Sequence, residues 1–129
     1  MNTRTTLLAI LVITGLSAAV LPVAAHHSFS AFNTTETKTV TGTVRNLEWT
    51  NPHIWLWLNV PNDKGGVDVY GFEGMSPNFL ERRGWTKSTL KAGDKVTVDY
   101  NPMKDGKNGG MFRSGKMENG KTLTMGGSQ

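Results

Sequence analysis

The sequence predicts a small, mainly β protein, a five-stranded barrel with one short helix between its third and fourth strands. Two observations lead to this prediction. Several short segments alternate between apolar and other residues, which is typical of strands that are buried on one face. One segment between the third and fourth strands instead carries the start and stop residues of a helix.

The first three strands follow one another as a meander. The stretch "KTVTGTVRNLEW" alternates from Lys38 onward, and Gly42 within it predicts a bulge or a sharp bend. A turn at Asn51-Pro52 leads into "HIWLWLNV", which has an aliphatic face and a tryptophan face. Either of these two faces is compatible with burial. The hairpin segment "PNDKGG" then connects to the third strand, "VDVYGFEG".

The helix lies in "SPNFLERRG". Ser76 suits the N-cap, Pro77 the first helical position and Gly84 the position after the end. Two further strands follow in "KVTVDY" and "MFRSGKMENGKTL", the latter as a last strand or an irregular hairpin that turns at Asn119-Gly120. Three strands, a helix and two strands form the order of the oligonucleotide/oligosaccharide-binding (OB) barrel, which closes its sheet. A small open β-sandwich is the alternative.

The N-terminal segment has the pattern of a secretory signal peptide. A polar start with Arg4 precedes the apolar run "LLAILVITGLSAAVL", and small residues end at Ala25. An uncleaved membrane anchor is the alternative, but the run is short for a span and lacks a basic flank behind it. We therefore expect cleavage near Ala25 and a periplasmic or secreted protein. The predicted divisions are a signal peptide at 1–25, an N-terminal arm at 26–37, the barrel at 38–124 and a disordered tail at 125–129.

Composition and motifs argue against several classes of function. The 129 residues carry a formal net charge of +4, spread thinly, so we expect no nucleic-acid partner. The chain has no cysteine, so stability in an oxidising compartment must come from packing alone. It contains no nucleophile elbow, phosphate-binding loop or zinc-protease motif. Nothing in the sequence places Glu48 and Glu73 across a cleft as a glycosidase pair. We therefore expect no enzyme.

Four stretches carry distinctive motifs across residues 26–123. They are "HHSFSAF", "TVTGTVRNLEWTNPHIWLWLNV", "FEGMSPNFLERRGWTKSTLKAGDKVTV" and "NPMKDGKNGG", and the HHSF start, E-W-T-N-P-H and R-R-G-W-T are the most specific pieces. Together they resemble a family of small exported bacterial proteins, a domain of unknown function. The resemblance implies export and a small β-barrel-like domain. It implies no activity and no catalytic residue.

The three histidines suggest a metal site. If cleavage follows Ala25, His26 becomes the N-terminal residue, and its α-amine and imidazole can chelate one copper ion. His53 is the candidate third ligand, with His27 as its substitute, and the result is a histidine brace suited to Cu(II). Its ligands must be deprotonated, so binding should weaken as the pH falls. Alternatively, His26 and His27 are solvated terminal residues and His53 bonds a backbone carbonyl.

Methionines are a second possible source of copper ligands, because thioether sulfur suits Cu(I). Five remain after removal of the leader, and they follow no M-x-M or M-x-x-M spacing, so we interpret them as packing or loop residues. These methionines are Met75, Met103, Met111, Met117 and Met125.

Aromatic residues on the second and third strands are the candidate ligand-binding set. If the aliphatic face of the second strand is inside, Trp55 and Trp57 point outward beside Tyr70 and Phe72. This position coincides with the usual ligand face of an OB barrel. The alternative is that the N-terminal arm, through Phe29 and Phe32, or the C-terminal segment covers these rings, because large exposed aromatic patches are uncommon on monomers.

These observations predict an exported, non-catalytic binding or accessory module for an unknown small ligand or a periplasmic protein. A copper-binding protein that uses mature His26 and His53 is the alternative. An oxidase or oxygenase built on the same histidine brace ranks third.

Overall fold

The structure is a computed structural model that describes residues 29–125. A turn of 3-10 helix at Phe29–Ala31 precedes the barrel. The strands are β1 (Lys38–Glu48), β2 (Trp55–Pro61), β3 (Val67–Glu73), β4 (Lys95–Pro102), β5 (Gly109–Met117) and β6 (Thr122–Thr124). The helix α1 (Pro77–Glu81) lies between β3 and β4, as predicted.

Five strands close into a ring in the order β1, β2, β3, β5, β4 and back to β1. Neighbouring strands are antiparallel except β3 and β5, which run parallel. Strand β6 pairs with β5 outside the ring and completes the predicted irregular hairpin. The five-stranded OB-like barrel is therefore confirmed, and the alternative of an open sandwich is not formed.

Strand β1 bends because it pairs with two different neighbours. Its first half pairs with β4 and its second half with β2, and the register shifts between Val44 and Asn46. The bulge that we predicted at Gly42 is therefore displaced along the strand. Gly42 instead permits a close approach, since a Cβ atom there would lie 2.7 Å from the carbonyl oxygen of Asn59.

The aliphatic face of β2 lies inside the barrel. Ile54, Leu56 and Leu58 are fully buried, so the tryptophan face of the strand points outward. Trp85 also belongs to the core, and its Nε1–H donates to the carbonyl oxygen of Thr124 at 3.0 Å. This bond ties the end of β6 to the barrel. Other core residues are Val44, Phe72, Leu80, Leu90, Val96, Val98, Phe112 and Leu123.

Helix α1 begins as the sequence predicts. The Ser76 hydroxyl accepts a hydrogen bond from the N–H of Phe79 at 3.4 Å, and Pro77 occupies the start of the helix. Leu80 is fully buried and joins the core. The helix therefore packs on the barrel through two buried apolar residues, Pro77 and Leu80.

Candidate functional site

His53 lies just before β2, where main-chain hydrogen bonds tie the chain to the end of β3. The N–H of Ile54 donates to the carbonyl oxygen of Met75 at 3.0 Å. The N–H of Gly74 donates to the carbonyl oxygen of Ile54, also at 3.0 Å. These two bonds continue the β2–β3 pairing beyond the strands, and they place His53 beside Glu73.

The His53 imidazole is held by the Glu73 carboxylate. The distance from Nδ1 of His53 to Oε1 of Glu73 is 2.6 Å, and the two side chains are 30% and 13% exposed. A carboxylate only accepts hydrogen bonds, so Nδ1 carries the proton of this contact. In the neutral form of the ring, Nε2 is therefore the nitrogen without a proton. The contact with Glu73 uses Nδ1 and does not engage Nε2.

This pair lines a cleft of about 270 Å³. Such a volume accommodates several water molecules at about 30 Å³ each, and therefore also a metal ion. Phe29 and Phe32 form part of its wall, and Phe32 is buried while Phe29 is 63% exposed. The Phe29 ring therefore borders the cleft and is also open to solvent. Glu73 and Arg113 are the charged residues of the lining.

Three methionines complete the lining, namely Met75, Met111 and Met125. They come from the segments after β3, within β5 and after β6. The spacing of the methionines, which shows no motif, predicts packing or loop residues. Their grouping depends on the β3–β5 closure and on the return of the chain through β6, which sequence spacing does not reveal.

Of the three predicted metal ligands, the structure places His53 alone. His26 and His27 lie outside the described residues. Within residues 29–125, no three histidine, aspartate or glutamate side chains group as metal ligands. The alternative in which His53 bonds a backbone carbonyl is not formed, because its partner is the Glu73 carboxylate. The sequence does contain an indication of this pair. His53 comes just before the first strand of the predicted β2–β3 hairpin, and Glu73 lies at the end of its second strand.

Trp55 and Trp57 lie on the outer face of β2. Their rings stack at 5.6 Å with an interplanar angle of 18°, and both residues are half-buried. The Trp57 ring lies over Gly71 of β3, where a Cβ atom would come within 2.5 Å of it. Its Nε1 atom is buried and has no hydrogen-bond partner among the described residues. These contacts fix the Trp57 ring on the sheet.

The other two predicted ligand-binding aromatics occupy the opposite face. Tyr70 pairs with Leu58, and Phe72 pairs with Leu56. Directly opposed residues of antiparallel strands share a face, so Tyr70 and Phe72 point toward the core. Phe72 is fully buried, and Tyr70 is half-buried against the core. Our expectation that all four aromatic residues share one outer face is therefore wrong.

The fold and the cleft define a small closed β-barrel of the OB type that carries a histidine–glutamate pair. The chain belongs to the family of unknown function DUF6152, whose model matches residues 14–114. This match confirms the resemblance to a domain of unknown function. No curated protein and no solved structure matches the chain significantly. Between residues 29 and 125 there is no helix with the length and apolar character to cross a membrane.

Proposed function

We propose that this protein is an exported copper-binding protein whose copper site lies in the cleft beside His53. The observation that carries the proposal is the 2.6 Å contact between Nδ1 of His53 and the Glu73 carboxylate. Histidines that bind metals commonly donate their second ring N–H to a carboxylate, which orients the ring and makes it a stronger ligand. The barrel thus supports one preorganised nitrogen ligand at the cleft.

The N-terminal histidines precede a residue of the cleft wall by only a few positions. Phe29 lines the cleft, and His26 precedes Phe29 by three positions. A fully extended chain spans at most about 3.6 Å per residue, so the three positions between His26 and Phe29 cover at most about 11 Å. His27 is closer to Phe29 by one residue. We propose that one of these imidazoles shares a metal ion with His53.

Export would create the remaining ligand. Cleavage after Ala25 turns the backbone nitrogen of His26 from an amide into a free amine. That amine and the His26 imidazole form a chelate, and Nε2 of His53 supplies a third nitrogen. An uncleaved chain lacks the amine, so we expect tight binding to follow removal of the leader.

The donor set favours Cu(II) among the divalent metals. Amine and imidazole nitrogens suit Cu(II) in a tetragonal arrangement, and copper stands at the top of the divalent affinity order. Calcium and magnesium prefer several oxygen ligands. In the described part of the chain, Glu73 is the carboxylate of the cleft lining, and it already binds His53.

A titration of the exported protein tests the proposal. The chain is expressed with its leader and recovered from the periplasm, and intact mass establishes whether it starts at His26. It is then titrated with Cu(II) against a competing chelator. We expect one-to-one binding that falls at least about tenfold when one residue is added before His26, or when His53→Ala is introduced. A residue added after Gln129 is the matched control. Equal affinity in all versions would reject the proposal.

A second candidate function is favoured by the stacked pair of Trp55 and Trp57, which lies half-buried on the outer face of the barrel. Such rings stack on sugars and other flat ligands, and OB barrels bind ligands on this face. Titration with soluble oligosaccharides should then change the tryptophan fluorescence of the protein but not that of Trp55→Ala. An unchanged spectrum across the oligosaccharides would reject carbohydrate binding at this pair.

A further inference from the structure

We propose that the same cleft also holds Cu(I), on the thioether sulfurs of Met75, Met111 and Met125. This inference rests on the copper-binding function proposed above. Three of the five methionines that follow the predicted leader line this cleft together with His53. Thioether sulfur is a soft ligand that suits Cu(I), whereas imidazole and amine nitrogens suit Cu(II).

Strand pairing sets Met111 next to the histidine–glutamate pair. Met111 of β5 is the register partner of Glu73 in the parallel β3–β5 pairing. Paired residues on neighbouring strands share a face and lie about 4.8 Å apart. Glu73 in turn holds His53. The Met111 thioether therefore borders the group that positions the imidazole.

The Met125 sulfur contacts the segment that follows Glu73. It packs against Gly74, where a Cβ atom would collide with the sulfur and with the Ile54 side chain. Gly74 lies between Glu73 and Met75, so this contact brings the sulfur to the same short segment. Met125 is 3% exposed although it lines the cleft. Its sulfur is thus shielded from bulk water.

Met117 is a second methionine of β5, and it does not line the cleft that Met111 lines. It is half-buried like Met111 and follows it by six positions on the same strand, a distance of about 20 Å. Met117 lines a different groove, next to Gly93 and Asp94. It is therefore the matched control for Met111.

The two sets of ligands would give the cleft two kinds of donor atom. The nitrogen donors of the proposed function, His53 and the mature N-terminus, suit Cu(II), and the thioether sulfurs suit Cu(I). The protein is then able to retain copper in either oxidation state. Binding in each state requires no electron transfer by the protein itself.

The test is an anaerobic Cu(I) titration of the exported protein against a Cu(I) chelator. The variants are the triple change Met75→Leu, Met111→Leu and Met125→Leu, and the single change Met117→Leu. Leucine has nearly the volume of methionine, so the core should tolerate it. We expect the triple variant to lose at least about tenfold in Cu(I) affinity, equal to about 1.4 kcal/mol. Cu(II) affinity should stay within about threefold, and Met117→Leu should match the parent in both titrations.

A second measurement on the unsubstituted protein avoids any dependence on folding of the triple variant. Methionine methyl groups are labelled with ¹³C, and Ag(I) is added as a redox-inert substitute for Cu(I). We expect resonance shifts at Met75, Met111 and Met125 and none at Met117. Equal shifts at all labelled methyl groups, or no shifts, would overturn the inference.

The titrations also separate this inference from the proposed function. If Cu(I) affinity is unchanged in the triple variant while Cu(II) binding still depends on His53, the methionine site is rejected and the copper function stands. If Cu(I) binding requires the methionines but Cu(II) binding depends on neither His26 nor His53, the histidine brace is rejected and the methionine site stands.

Discussion

The imidazole of His53 and the carboxylate of Glu73 meet at 2.6 Å and join the turn before β2 to the last residue of β3. Both side chains line the cleft, which Phe29 also borders. The pair faces a cleft that Met75, Met111 and Met125 also line. This arrangement is the basis of the copper function that we propose.

Replacing Glu73 tests the role of the carboxylate in that function. Glu73→Gln keeps the shape of the side chain but removes its charge, so the imidazole becomes a weaker and less firmly oriented ligand. We expect Cu(II) affinity to fall about 10–100-fold in chelator competition. Glu48→Gln is the matched control, because Glu48 is exposed at the end of β1. Similar affinities for the two variants would show that Glu73 does not support a metal ligand.

Closure of the barrel depends on Gly109. It has a φ of 111°, and a Cβ atom there would collide with the backbone of Gly71. Gly106 has a φ of 78° but open space around it. Gly106→Ala should therefore cost only the left-handed backbone strain of about 1–2 kcal/mol in the free energy of unfolding. Gly109→Ala should cost about 1–3 kcal/mol more. Urea unfolding of both variants measures the difference, and equal costs would contradict the close β3–β5 contact.

Phe72 should behave as a core residue and not as a ligand-binding residue. It is fully buried, and its ring meets that of Tyr100 edge-on at 5.0 Å. Phe72→Ala should lower the free energy of unfolding by about 3–5 kcal/mol. Trp55→Ala on the outer face should cost clearly less, since Trp55 is half-buried. Urea unfolding followed by circular dichroism compares them, and the reverse order would contradict the faces assigned to β2 and β3.

Tyr100 should make the protein sensitive to alkaline pH. Burial raises the pKa of its hydroxyl above 10.0, and the nearby Tyr70 and Glu36 act in the same direction. The unfolded chain then releases this proton at a lower pH than the folded protein does. The contribution of Tyr100 to the free energy of unfolding is therefore fully present below pH 10. It is lost as the pH rises further.

The measurement is urea unfolding near pH 8 and near pH 10.5, around the ordinary tyrosine pKa of about 10. Tyr100→Phe should lose less stability between these pH values than the parent does. An identical loss in the two proteins would show that ionisation of other groups causes the alkaline decline.

The fold follows from local patterns in the sequence to a large extent. Alternation identifies β2, and Ser76 with Pro77 identifies the start of α1, because burial and capping act on neighbouring residues. The sequence did not reveal which side chains of β3 point into the barrel. The outward-facing tryptophans of β2 suggested an aromatic surface that continues onto β3. The register instead opposes Phe72 to Leu56. Register is set by tertiary packing, and alternation alone leaves it open.

The candidate site was predicted only in part. His53 was identified from its residue type and its position after a turn. Glu73 and the three methionines were not assigned to it, because they come together only when β3 and β5 pair and β6 returns along β5. Contacts between residues distant in sequence leave no periodic pattern. The structure was needed to place them in one cleft.

The most direct test of the copper function is the electron paramagnetic resonance spectrum of the exported protein with one equivalent of Cu(II). A brace formed by the His26 amine, the His26 imidazole and His53 predicts a spectrum with coupling to several nitrogens. His53→Ala should change that spectrum, while Met117→Leu should leave it as it is. A spectrum that His53→Ala leaves unchanged would contradict a copper site at the cleft.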